Sequence, residues 1–191
     1  MINWTIESIS GWLSDKQQTR TIHPSEYICL IEHIFKTKPS TIIDIGTYLG
    51  TSGYILGTCC DSIKKVYSID NINSPGYTEK LEATREDHGK YLPENCIFLK
   101  NGYEQDLTKE LIGNPNETFL FWDAGKNFVK VLNQIKLSFD FNVRYIALHD
   151  SNVMTVRRAI DRANKLKWYK TISEDYNSCP EKGVTILEKY E

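Results

Sequence analysis

The stretch Asp44-Ile45-Gly46-Thr47-Tyr48-Leu49-Gly50-Thr51-Ser52 constrains the fold more than any other. It extends the apolar run Thr41-Ile42-Ile43 and leads into Gly53-Tyr54-Ile55-Leu56, so it reads as a strand, a glycine turn and the start of a helix. Glycines in such a turn let the backbone approach a ligand closely, and the amides opening the helix favour an anionic group such as a carboxylate. A dinucleotide fingerprint places its glycines at the first, third and sixth positions. Gly46 and Gly50 are instead separated by three residues, which disfavours a pyrophosphate grip and with it a nicotinamide-dependent oxidoreductase. A ligand that joins an amino acid to a nucleoside suits the loop better.

Downstream, short apolar runs alternate with helical patterns. Strands are expected at Thr41–Ile45, Val66–Asp70, Cys96–Leu99, Thr118–Asp123, Arg144–Asp150, Trp168–Ile172 and Gly183–Leu187. Between them, helices are expected over Thr51–Cys60, Thr78–Lys90, Glu104–Ile112, Lys126–Phe139 and Val156–Leu166. An earlier helix is capped by Ser25, carries Tyr27, Ile28, Ile31, Ile34 and Phe35 at helical spacing, and stops at Pro39. Such alternation predicts an α/β fold: a Rossmann-like, doubly wound, seven-stranded sheet, mainly parallel, with an antiparallel C-terminal edge strand. With no repeat or linker in view, residues 1–191 form one domain, with 1–24 an N-terminal extension that covers the acceptor site.

Asp44, Asp70, Asp123 and Asp150 each end a proposed parallel strand. Ligands of open α/β sheets bind beyond the carboxyl ends of the strands, and acidic groups gathered there repel one another unless a ligand or cation sits among them. Each could instead cap the helix that follows. Asp70 is placed to accept hydrogen bonds from a ribose diol, as acidic residues do in nucleotide-binding folds.

Composition narrows the partners. A net charge of -2 with scattered basic residues argues against nucleic acid. No apolar run reaches the ~20 residues that span a bilayer, and the N-terminus has neither the basic start nor the apolar stretch of a signal peptide. The odd cysteine count, in no zinc-binding pattern, suits reduced thiols and a cytoplasmic location. His23, His33 and His88 show no partnered spacing.

The ordered motifs resemble the catechol O-methyltransferase group of class I S-adenosylmethionine-dependent methyltransferases. The resemblance rests on Asp44-x-Gly46-x-Tyr48-x-Gly50-x-Ser52, Gly102-Tyr103-Glu104-Gln105-Asp106, Asp123-Ala124-Gly125-Lys126 and Asp150-Ser151, and covers most of the chain. It implies that Gly46, Tyr48 and Ser52 contact the methionine half of the cofactor, Asp70 the ribose, and Glu104 and Gln105 the adenine side. Asp123 and Asp150 would be metal ligands, with Ser151 where that group has asparagine, and magnesium the ion expected for all-oxygen ligation. His149-Asp150-Ser151 followed by Val156-Arg157-Arg158 is similar to a second branch, the bacterial macrolide O-methyltransferase and cephalosporin-hydroxylase-like sequences.

A hydroxyl acceptor needs a base or a metal to lower its pKa. Lys126 matches the family's general base, and His149, whose ordinary pKa lies near neutrality, is the other candidate. The implied activity is transfer of a methyl group from S-adenosylmethionine to a small hydroxylated molecule, a sugar, phenol or natural product. The competing reading is a cofactor-binding or interaction protein with a decayed rim, suggested by Ser151 and by Asn142-Val143 where the family has two glycines. The expected partner is a small-molecule acceptor, with a homo-oligomer left open.

Overall fold

The computed structural model describes residues 1–16, 22–71, 89–100, 102, 106–175 and 182–191. Its elements run α1 (Ile6–Asp15), α2 (Pro24–Thr37), β1 (Thr41–Ile45), α3 (Thr51–Thr58), β2 (Lys65–Ile69), β3 (Cys96–Leu99), α4 (Lys109–Ile112) and β4 (Thr118–Trp122). They continue with α5 (Phe128–Asp140), β5 (Tyr145–His149), α6 (Met154–Lys165), β6 (Tyr169–Asp175) and β7 (Val184–Lys189). The seven strands form one sheet in the order β3-β2-β1-β4-β5-β7-β6. Strands β1 to β5 pair in parallel, with Ile45 level with both Ile69 and Trp122. β7 runs antiparallel to both β5 and β6, so the reversed strand lies one place in from the β6 edge.

The doubly wound arrangement follows from strands that are apolar on both faces. Every residue of β4 is buried, as are Ile42, Ile43 and Ile45 of β1. One face packs Ile42, Val66 and Phe119 against Leu30, Ile31, Ile55 and Leu56 of α2 and α3. The other packs Ile43, Leu120 and Ile146 against Val131, Ile135, Val156 and Ile160 of α5 and α6. Trp122 is buried as its position in β4 implies, and its indole N–H donates to Ser138 Oγ at 3.0 Å.

Helix α2 begins earlier than its sequence pattern suggests. His23, not Ser25, is the N-cap: its ring accepts the Ser25 N–H at 3.3 Å, and Glu26 accepts the His23 N–H at 2.7 Å. Pro24 explains the shift, because a fixed φ and a missing N–H suit the first helical position.

α1 docks on the outer side of α3 through aromatic rings. Trp12 stacks on Tyr54 with centroids 5.2 Å apart and planes at 7°, and Trp4 meets the edges of both.

His33 links this face of the core to pH. It packs between Phe119 and Tyr145 at 8% exposure, and burial pushes its pKa down to about 4, so the folded state holds it neutral. The unfolded chain binds a proton below pH ~6.5 that the folded protein refuses. Its contribution is therefore complete above that pH and is lost as pH falls toward 4. Between pH ~6.5 and ~5 the protein is expected to lose roughly 2 kcal/mol more stability than His33→Leu, measured by urea denaturation. Parallel curves for the two proteins would refute this.

Candidate active site

The carboxyl ends of β1, β2, β4 and β5 lie along one edge of the sheet, and the four aspartates end there. The strand order reverses between β1 and β4, which makes the gap above them the crevice of the fold. The turn after β1 is shaped by that gap. Gly46 has φ +98, and a Cβ there would lie 2.3 Å from the Asp123 carbonyl oxygen, so only glycine lets the two strand ends approach.

Asp44 lies beneath this turn with no exposure. Its Oδ2 accepts from Ser52 Oγ at 2.7 Å and Thr47 Oγ1 at 3.2 Å, while its buried Oδ1 has no hydrogen-bond partner. Burial pushes its carboxyl up to about 7, the hydroxyl of Ser52 opposes this, and the charge of Asp123 adds to it. Tyr48 adopts a left-handed φ of 49, and its N–H donates to Asp70 Oδ2 at 2.7 Å. Asn71 N–H holds Asp70 Oδ1 at 2.8 Å. The two backbone donors fix the β2 aspartate at the lip of the turn.

A strap covers the other side of the turn. Gly89 and Tyr91 donate their N–H groups to the carbonyls of Tyr48 and Leu49, at 2.9 and 3.0 Å. Leu92 lies over Gly50 and Gly53, where a Cβ would come within 2.8 and 2.7 Å of it. The Tyr91 ring meets the edge of Trp12, so α1 supports the strap from behind.

The acceptor side is a charged cluster. His149 Nδ1 lies 2.8 Å from Asp123 Oδ1 and 3.7 Å from Asp150 Oδ2, and Nε2 lies 3.5 Å from Glu26 Oε2, an ion-pair distance rather than a hydrogen bond. Burial opposes charge on the ring, but Asp123, with help from Glu26 and Asp150, holds its pKa up at about 10. Lys126 Nζ pairs with Asp150 Oδ2 at 2.9 Å from a side chain that is 58% exposed. Thr155 Oγ1 donates to the Lys126 carbonyl, tying the loop after β4 to the start of α6.

The structure thus brings Asp44, Gly46, Tyr48, Gly50, Ser52 and Asp70 together on one side of the crevice. On the other side it gathers Asp123, Lys126, His149 and Asp150. Glu104 and Gln105 lie outside the described residues. Ser151 Oγ is buried and unpartnered, and its N–H donates to the Gly183 carbonyl at 3.1 Å. Asp123, His149 and Asp150 each offer an atom within 4.8 Å of the others. The two carboxylates fit a divalent cation, and the third donor is an imidazole nitrogen that sequence reasoning had assigned to proton transfer alone. Sequence reasoning also missed Glu26, which reaches the cluster from α2.

No family model and no curated protein sequence matches the chain. Solved structures match it over nearly its whole length at low identity. The SAH-bound Podospora anserina methyltransferase PaMTH1 is 15% identical, with a TM-score of 0.65 over 100% of this chain and 89% of that one. The Streptomyces achromogenes O-methyltransferase TomG, in complex with SAM and involved in tomaymycin synthesis, is 11% identical, with a TM-score of 0.63 over 100% and 92%. The Bacillus cereus O-methyltransferase in complex with SAH is 15% identical, with a TM-score of 0.60 over 96% and 90%. The chain has the fold of these proteins.

Proposed function

We propose that the protein is an S-adenosylmethionine-dependent O-methyltransferase acting on a small hydroxylated molecule. The observation that carries this reading is the Asp70 carboxylate, held by the N–H groups of Tyr48 and Asn71 beside a glycine turn at the switch point. That is a place for a ribose diol next to a place for an amino acid. The amino group of a methionine half is a donor of the kind that Asp44 Oδ1 lacks. The likeness to SAM- and SAH-bound structures supports the same reading. A decayed rim is not favoured, since Lys126, His149, Asp123 and Asp150 remain joined by short ion pairs. Isothermal calorimetry with S-adenosylhomocysteine (SAH) is the test: saturable binding is expected, and no heat at millimolar ligand would sink the reading.

Asp123 and Asp150 would hold magnesium, with His149 Nδ1 or the Ser151 hydroxyl as the third donor, and the ion would supply charge to lower the pKa of the acceptor hydroxyl. Lys126 and His149 are the two candidates for taking the acceptor's proton. Despite its burial the His149 ring is held charged by Asp123, with Glu26 and Asp150, so His149 can serve only after giving up a proton of its own. A chelator is expected to abolish turnover and magnesium to restore it. Turnover that ignores the chelator but collapses in His149→Ala assigns the chemistry to the side chains alone. We assign residues 1–24 to an N-terminal extension that covers the acceptor side, its His23 N–H donating to Glu26 at the rim. Within it, α1 itself packs on α3 and on the strap over the glycine turn. Among the described residues no helix is long and apolar enough to cross a membrane, and Cys29, Cys59, Cys60 and Cys96 are free thiols, which fits a cytoplasmic location.

A further inference from the structure

Behind the acceptor side lies a glutamate with no solvent exposure, on a helix that contributes no other side chain to the charged cluster. Glu26 is the third residue of α2. Its Oε2 accepts the His23 N–H at 2.7 Å, and its Oε1 accepts the Gly183 N–H just before β7. The same Oε2 stands 3.5 Å from His149 Nε2, and the opposite ring nitrogen is hydrogen-bonded to Asp123 at 2.8 Å. One carboxylate therefore joins the start of α2, the approach to β7 and the end of β5. Capping does not explain its depth, since a capping box works equally well at the surface. A carboxylate is costly to bury unless it is paired, and here the charged partner within reach is His149.

Resting on the methyl-transfer reading, we propose that Glu26 is a positioning residue: it fixes the orientation of the His149 ring and, through it, holds Asp123 on the acceptor side of the crevice. A histidine hydrogen-bonded through Nδ1 and ion-paired through Nε2 is held against rotation of its ring, and partners behind a functional histidine set its orientation in this way. Asp123 depends on that hold. Its backbone is anchored by its N–H to the Ile45 carbonyl at 2.8 Å, and His149 fixes its carboxylate.

Two variants of the full chain test this. Glu26→Gln keeps the shape and gives up one acceptor; Glu26→Asp keeps the charge and withdraws it by one methylene. With S-adenosylmethionine and catechol as trial acceptor, kcat of Glu26→Gln is expected to fall on the order of 10- to 100-fold. Its SAH Kd by calorimetry should stay within about twofold of wild type, because the ribose side is untouched. Glu26→Asp should recover part of kcat. In proton–nitrogen spectra, the His149 ring N–H signal, assigned by its absence in His149→Gln, should shift or exchange faster in both variants. A folded Glu26→Gln with wild-type kcat and an unmoved ring signal overturns the proposal. Failure of both variants to fold also overturns it, leaving Glu26 a purely structural role. If the wild-type chain binds no SAH, the methyl-transfer reading falls instead, and the ring signal still decides whether Glu26 holds His149.

Discussion

Replacing Asp70 with alanine is expected to weaken SAH binding by on the order of 100-fold while the protein stays folded. The carboxylate is 7% exposed and its oxygens already accept the N–H groups of Tyr48 and Asn71. A carboxylate oxygen can accept more than one donor, and a ribose diol would bring two hydroxyls to this carboxylate. A hydrogen bond to a charged group contributes roughly 1.5 to 3 kcal/mol, so losing two of them costs about 3 kcal/mol or more. The substitution also releases the Tyr48 N–H, which the left-handed φ of 49 aims at this carboxylate. Asparagine is no neutral replacement, because its amide nitrogen would face one of the two backbone donors. Calorimetry alongside a thermal melt separates the effects. A folded Asp70→Ala with SAH affinity within about threefold of wild type would remove the ribose role from this residue.

How much was legible in the sequence depended on which physical signal each residue carried. The strands were legible because burial on both faces leaves runs such as Thr118-Phe119-Leu120-Phe121-Trp122. The ends of four of them were legible because an aspartate stands there, Asp44 next to last in β1 and Asp70, Asp123 and Asp150 just past β2, β4 and β5. The gap above β1 was legible through Gly46. The strap was not: Gly89, Tyr91 and Leu92 follow polar residues that read as a helix to Lys90, and their partners are the backbone of Tyr48 and Leu49, which leaves no side-chain pattern. Glu26 did carry a signal. It lies four residues before Leu30 and seven before His33, on the stripe that α2 buries, and a carboxylate in such a stripe needs a partner. Which partner is a tertiary fact, set by the register that brings Gly183 and His149 together at the ends of β7 and β5. The same limit applied to His149, whose role changes once Asp123 and Glu26 flank its ring.

Gly46→Ala should produce the largest loss of stability of any single methyl group added at the crevice. At φ +98 an L-residue is strained by about 1 to 3 kcal/mol before any contact is considered. The new Cβ would also lie 2.3 Å from the Asp123 oxygen, 2.7 Å from its carbonyl carbon and 3.2 Å from the Ala124 nitrogen. All three are backbone atoms at the end of a fully buried strand, so no rotamer change relieves the clash. The relief available is to part β1 from β4, against the bond from Asp123 N–H to the Ile45 carbonyl at 2.8 Å. Overpacking of this kind adds roughly 1 to 3 kcal/mol. With strain included the loss is about 2 to 6 kcal/mol, so the melting temperature should fall by about 4 to 24 °C for a chain of this size. Gly113→Ala is the matched control: its φ is +60 with nothing within 4 Å of the added carbon, so it reports backbone strain alone. Gly50→Ala is intermediate, since the Cγ of Leu92 at 2.8 Å belongs to a side chain that can turn, although the Leu92 backbone nitrogen lies at 3.0 Å. The expected order of melting temperatures is therefore Gly113→Ala above Gly50→Ala above Gly46→Ala. If Gly46→Ala melts with Gly113→Ala, close approach of the two strand ends is not what requires glycine there.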